Sequence, residues 1–366
     1  MQKKKKLKSK FLITIFCLLS INLYSQKIDI LTFRIGRGGL VPHHKFMRYF
    51  IQKNVTEVNI IAAFSSSKNK QWQQQWNYPQ IGFGFYYSTS VNQNIYGNPF
   101  ASYLYSEFGL FQNKLFKFSS EIDIGAAYLT KKFDYQNNYL NLVIGSSINI
   151  FASINFKTIL KYGKSEFFAN LGLTHYSNGG TKEPNLGLNI LAISLGYKYK
   201  NIKTFTPQYA CKPTKKSKDI YFIGSIFYRS TVHSISNPPM PIFTFTADFG
   251  FKNNGKWRYS TGIDYLYDGA AVFFYENSIS DNQKPFLFSS LGTHIAASAL
   301  FGNVEFTFQQ IFYIYQKYDF FKNCQRFGFR AFVWKKYIFN LTLSTHFSQA
   351  LFIEAGFGYK FKFKKY

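Results

Sequence analysis

An all-β fold, an antiparallel transmembrane β-barrel of about fourteen strands within a range of twelve to sixteen, is what the sequence predicts. Three observations lead there. Apolar and polar residues alternate in segments of about ten residues separated by polar turns, the pattern of strands with one greasy and one polar face. Aromatic residues make up 21% of the chain, an excess that suits interfacial girdles. After the first 25 residues no apolar run approaches the roughly 18 to 20 needed for a spanning helix, so an exported chain must bury its aromatic residues in a β structure.

The leader comes first. MQKKKKLKSK is a basic n-region, FLITIFCLLS a short apolar core and INLYSQ a polar zone with small residues. Residues 1–25 therefore read as a secretory signal peptide cut after Ser25. Cys17 follows Phe16 where lipid attachment wants a small residue, which argues against a lipoprotein. Removing the six Lys of residues 1–25, which hold no acid, lowers the formal charge from +27 to +21. A positive mature surface suits the phosphates of lipopolysaccharide or anionic outer-membrane lipids, although a bias toward Lys, Asn, Ile, Phe and Tyr accounts for the charge equally well. Nucleic acid is not an expected partner of an exported chain. Only Cys211 and Cys324 survive processing, so no disulfide framework is implied.

Strands are expected over 28 to 36, 55 to 65, 79 to 90, 99 to 112, 116 to 129, 150 to 161, 165 to 178 and 187 to 200. A second series covers 218 to 230, 241 to 251, 256 to 268, 286 to 299, 303 to 316, 326 to 335, 337 to 348 and 350 to 363. In FKFSSEIDIGAAYLT the even positions Phe116, Phe118, Ile122, Ile124 and Tyr128 oppose Lys117, Ser119, Glu121 and Asp123. LFIEAGFGYKFKF repeats the pattern with Leu351, Ile353, Phe357, Tyr359, Phe361 and Phe363 in register. Even strand counts and merging of neighbours bring sixteen segments to about fourteen strands, and the first segment can instead be a periplasmic arm. Between the halves lies the one long stretch without periodicity, rich in Lys and Pro. The domain reading is 26–200 as a first β half, 201–217 as a periplasmic connection and 218–366 as a second half of the same barrel, with two small barrels, or a barrel plus a second β module, as the alternatives.

LTHYSNGGTKEPNLGLN, residues 173–189, is where chemistry concentrates. On a strand His175 and Ser177 share a side with Leu171 and Leu173, so a base and a hydroxyl lie on an apolar face. Asn189 shares parity with Leu191, Ile193 and Leu195. If residues 179–187 connect two antiparallel strands, Asn189 lies across from His175 within side-chain reach. A hydroxyl, a base and a group that fixes the base's tautomer are the parts of a serine hydrolase. THFSQ, residues 345–349, repeats the spacing, but His346 and Ser348 share parity with Asn340, Thr342 and Ser344, which turns them toward the barrel interior. His43 and His44 are adjacent and diverge on a strand, which argues against a metal site. Neither a metal nor another cofactor is expected.

HYSNGG with PNLGLN downstream resembles the lipid A 3-O-deacylase (PagL) and acyloxyacyl hydrolase-like family of outer-membrane barrels, whose local signature is His-x-Ser-Asn; GLVPHHKFMRYF and KQWQQQWNYPQIGFGFYY are similar to longer members. The resemblance covers most of residues 37–200 and, more loosely, the rest. It implies an eight-stranded unit in the bacterial outer membrane with its catalytic pair on the exterior, where acyl chains arrive laterally. It implies Ser177 as nucleophile, His175 as general base, and an oxyanion hole from Asn178 with a backbone N–H of Gly179 or Gly180. The family's third member is a Glu where Asn189 stands; Glu183, in the loop, is a second candidate for that acid. The stretch also resembles outer-membrane phospholipase A, which has His-x-Ser-Asn-Gly and a catalytic Asn, but the residues that accompany calcium there have no match in PNLGLN. The expected function is an outer-membrane serine esterase acting on lipid A in lipopolysaccharide, with Lys182 meeting glucosamine phosphates. The alternatives are a phospholipase A and a noncatalytic barrel, a pore or binding protein.

Overall fold

The structure, a computed structural model, describes residues 28–66, 70–201, 216–230, 238–253, 255–274, 287–317, 322–347 and 349–363. The expected signal peptide, residues 202–215 of the connection, Cys211 and Ser348 lie outside the described residues. Sixteen strands form two closed antiparallel barrels of eight. The N-terminal barrel comprises β1 (Ile30–Leu40), β2 (Val55–Phe64), β3 (Gln80–Ser88), β4 (Pro99–Gln112), β5 (Phe116–Leu129), β6 (Ile148–Tyr162), β7 (Ser165–Ser177) and β8 (Leu188–Lys200). The C-terminal barrel comprises β9 (Ser217–Arg229), β10 (Met240–Asn253), β11 (Trp257–Asp268), β12 (Ser289–Phe301), β13 (Val304–Gln316), β14 (Asn323–Val333), β15 (Tyr337–His346) and β16 (Gln349–Lys362).

The expectation of one continuous barrel of about fourteen strands is corrected to two barrels of eight. Each of the sixteen alternating segments is a strand, and none merges. The reason is closure: β8 returns to β1 from Ile30↔Lys200 to Leu40↔Ile190, so the first sheet has no free edge left when the chain reaches residue 201. Segment 28 to 36, weighed as a periplasmic arm, is thus the strand that seals the first barrel. β16 closes on β9 in the same way, from Ala355↔Ile226 to Lys362↔Asp219. Among the described residues no helix is long and apolar enough to cross a membrane.

Alternation becomes an inside and an outside. In β5 Lys117, Ser119, Glu121 and Asp123 are buried, whereas Phe116, Phe118, Ile122 and Tyr128 are exposed. An eight-stranded barrel is just wide enough for side chains to fill its bore, and charges confined there must find partners. Glu107 accepts from Lys117 at 2.6 Å, Lys157 at 3.2 Å and Lys198 at 2.7 Å, and Arg34 meets Glu121 at 2.9 Å. In the C-terminal barrel Asp248 holds Arg258 at 3.1 Å and Arg330 at 2.8 Å, while Arg326 bridges Asp264 at 2.6 Å and Glu354 at 3.0 Å.

In the N-terminal barrel the connections after β1, β3, β5 and β7 are long and gather at one end, while β4–β5 and β6–β7 turn at once at the other. Residues 178–187 thus lie at the long-loop end. The exception, the β2–β3 connection, leans on the second barrel: Trp76 Nε1 donates to the Leu300 carbonyl at 2.9 Å and its ring lies 5.6 Å from Trp257. At the long-loop end Ser230 N–H donates to the Gly180 carbonyl at 3.0 Å.

Candidate active site

The site is assembled by register. β7 and β8 pair so that His175 lies directly opposite Asn189, and Leu173 opposite Leu191, on the outer surface. Directly opposite residues on one sheet face bring side chains into contact. Accordingly, His175 Nδ1 and Asn189 Oδ1 are 2.7 Å apart. Beneath this pair Leu171, Leu173, Leu191 and Ile193 are exposed and form the apolar exterior of the wall. The polar pair therefore caps an exposed apolar stripe at its long-loop end.

Ser177 ends β7 two residues beyond His175 and pairs with Ile150 of β6; it is buried. Among the described residues no hydrogen bond joins Ser177 Oγ to His175 Nε2. Such contacts tighten in substrate complexes, so the shared face and spacing are what this substrate-free arrangement supplies.

The loop after Ser177 is held by Asn178. Its N–H donates to Asn185 Oδ1 at 2.8 Å, its Oδ1 accepts from the N–H groups of Thr181 at 3.0 Å and Lys182 at 3.3 Å, and its Nδ2 donates to the Lys182 carbonyl at 2.6 Å. Asn side chains that bond nearby backbone in this manner stabilise turns. Gly179 and Gly180 follow with φ of 65° and 79°, a left-handed pair that turns the chain sharply just past the hydroxyl. Gly187, at φ 80°, lies under the imidazole, and a Cβ there would stand 2.8 Å from His175 Cε1. Lys182 is exposed on the loop.

Glu183 is turned to the loop and not to the imidazole: its Oε2 accepts from Asn185 N–H at 3.1 Å, and burial pushes its carboxyl above the ordinary range. The position beside His175 Nδ1 is filled by Asn189. His346 Nδ1 lies 3.0 Å from the Asn323 carbonyl, and its ring 4.7 Å from that of Phe347. Among the described residues no group of three or more His, Cys, Asp or Glu is arranged to hold a metal ion.

One neighbour escaped sequence reasoning. His43, in the β1–β2 loop, approaches Asn189 from the far side, with Nδ1 3.3 Å from Asn189 Nδ2 and Nε2 2.9 Å from the Leu186 carbonyl. The stretch GLVPHHKFMRYF drew attention for its resemblance, yet parity says nothing about a loop residue 146 positions from its partner.

Two family models match the chain. One described as lipid A 3-O-deacylase (PagL) covers residues 60–198, and one described as acyloxyacyl hydrolase, C-terminal domain, covers residues 216–364. Among solved structures, the outer membrane enzyme PagL is similar at 19% identity over 46% of this chain and 98% of that one, with a TM-score of 0.32. A mutant of the Rh. blastica porin is 7% identical over 92% of this chain and 100% of that one, and a mutant of the TodX monoaromatic hydrocarbon channel 9% identical over 92% and 90%, each with a TM-score of 0.18. The assignment rests on the family models and not on these structural likenesses. No curated protein matches the chain.

Proposed function

We propose, from the premise that the chain belongs to the lipid A 3-O-deacylase (PagL) and acyloxyacyl hydrolase-like family, that it is an outer-membrane serine esterase that removes a fatty acyl chain from lipid A. The observation that carries this reading is the 2.7 Å pairing of His175 with Asn189 on an apolar exterior, two residues before Ser177. Acyl chains in a bilayer reach such a surface sideways, while the sugar headgroup stays at the outer end beside Lys182.

In this mechanism Ser177 Oγ attacks the ester carbonyl carbon as His175 Nε2 takes its proton. The carbonyl oxygen becomes an oxyanion steadied by backbone N–H groups at Gly179 and Gly180, with Asn178 shaping that turn through its bonds to Thr181 and Lys182. His175 returns the proton to the departing sugar hydroxyl, leaving an acyl-serine. Water, deprotonated by His175, then releases the fatty acid and restores Ser177. Asn189 accepts from His175 Nδ1–H and keeps Nε2 bare. An Asn orients the ring without offsetting its positive charge, so a slower enzyme than a Glu-containing homologue is expected.

Mass spectrometry of lipid A from cells expressing the chain, beside Ser177→Ala, is the test. Loss of one acyl chain with the wild type alone supports the reading. Loss of phospholipid chains instead supports a phospholipase, which the Asn at the third position also suits. An unchanged lipid profile leaves a noncatalytic barrel.

A further inference from the structure

We propose that His43 is a positioning residue that locks the Asn189 amide in one orientation and thereby fixes which nitrogen of His175 carries the proton. The inference deepens the esterase reading and rests on it for its consequence, though the lock itself is a property of four groups in contact.

The directions follow from one fixed end. A backbone carbonyl only accepts, so at 2.9 Å from the Leu186 oxygen His43 Nε2 must donate. A neutral imidazole has one donor, so His43 Nδ1 is then an acceptor. Asn189 must present its NH2 to that nitrogen, 3.3 Å away. Its carbonyl oxygen consequently faces the other way, toward His175 Nδ1 at 2.7 Å, and that nitrogen must carry a hydrogen. His175 Nε2 is left bare, the form a general base requires.

A carboxylate in the position of Asn189 would need no such help, because both of its oxygens accept. An amide has two chemically different ends, and reversing it would offer NH2 to His175 Nδ1 and select the wrong tautomer. His43 supplies the acceptor that removes this choice, and the chain of aligned bonds polarises the Asn189 oxygen toward the ring. Substituting Asn for the family's Glu thus calls for a partner on the far side, and the β1–β2 loop provides it.

The test uses the full chain in lipid nanodiscs, labelled with 15N-histidine, with the His175 signals identified by their loss in His175→Gln. The wild type should show His175 as the Nδ1–H tautomer near neutral pH, and His43→Phe a mixture of the two. His43→Gln, which keeps a carbonyl acceptor, should restore the single form. An unchanged single tautomer in His43→Phe overturns the proposal, whether or not the chain hydrolyses any ester. In turnover of lipopolysaccharide, His43→Phe should lower kcat about tenfold with KM unchanged in the wild-type background, and less than about twofold in the Asn189→Glu background. Equal losses in both backgrounds would mean a structural role and overturn it as well. Absence of turnover in the wild type would sink the esterase reading while the tautomer measurement still decides the lock.

Discussion

The two barrels place the same short motif at the same station and make different things of it. In the N-terminal barrel the seventh strand ends in Thr-His-Tyr-Ser, with His175 opposite Asn189; in the C-terminal barrel it ends in Thr-His, with Phe-Ser next in the sequence and His346 opposite Gln349. The difference lies in what joins the strands. Ten residues separate β7 from β8, enough for Asn178 to gather Thr181, Lys182 and Asn185 and for Gly187 to seat the imidazole. Two residues separate β15 from β16, and a register shift between Ser344 and Thr345 precedes them. The shift leaves Leu351 of β16 without a pairing partner, and His346 Nδ1 lies 3.0 Å from a backbone carbonyl of β14. A His-x-Ser pattern on a strand end thus becomes a candidate site only when register and loop cooperate.

The sharpest way to break this comparison is to remove the motif from each barrel in turn. Ser177→Ala or His175→Ala should lower lipopolysaccharide deacylation by about 10³-fold or more, since members of a hydrolytic set act as a unit. His346→Ala should leave it within about twofold. Release of fatty acid from purified lipopolysaccharide is the measurement, and comparable losses from His175→Ala and His346→Ala would erase the distinction between the barrels.

A second asymmetry concerns the bores. Asp248 meets both Arg258 and Arg330, so among the described residues Asp248→Ala leaves Arg258 with Asp219 as its one carboxylate and Arg330 with the Asn340 amide alone, both buried in the C-terminal barrel. Breaking one partner of a buried ion pair typically costs about 3–5 kcal/mol. Thermal or urea unfolding in detergent should show the C-terminal barrel weakened by that order. Deacylation below its unfolding transition should persist, because the site's side chains come from the N-terminal barrel alone. Loss of both together would show that the barrels act as one unit.

A gain of function sharpens the comparison further. Asn189→Glu should raise kcat about tenfold by offsetting the imidazolium charge that an amide leaves unbalanced. Gln349→Glu, the matching change in the second barrel, should give no activity to a Ser177→Ala chain. Kinetics with purified lipopolysaccharide separate the two; a faster Gln349→Glu variant in that background would assign chemistry to β15.

Much of this was legible beforehand because lipid outside and packed charge inside impose the same period of two on every strand. All sixteen segments can be read from that rule alone, as β5 illustrates with Lys117, Glu121 and Asp123 against Phe116, Phe118 and Ile122. The number of barrels could not, because closure is decided by Ile30 meeting Lys200, and nothing local to either residue encodes that contact. The facing of His175 and Asn189 was legible for the same reason as the strands, being parity plus one antiparallel turn. Parity says less at the end of β15, where the register with β16 shifts and Leu351 is left without a pairing partner. It is silent on His43, which reaches the site from a loop and is found only once the first and last strands of the barrel are neighbours.

The smallest expected effect concerns the loop that distinguishes the two barrels. Glu183 is partly buried between its backbone partner and the loop, and desolvation raises its carboxyl above its ordinary value. A carboxyl whose folded value is raised binds its proton more tightly in the folded loop than in the unfolded one, so its contribution is fully present below about pH 4 and falls as pH rises through the raised value. Acid should therefore tighten residues 178–187, and neutral pH should loosen them. Hydrogen exchange at the amides of Thr181 and Lys182, corrected for intrinsic rates, should slow by about threefold or less on going from pH 7 to pH 4. Glu183→Gln should abolish that dependence and hold the slower rate at pH 7. A dependence that survives the substitution would overturn the assignment of the effect to Glu183.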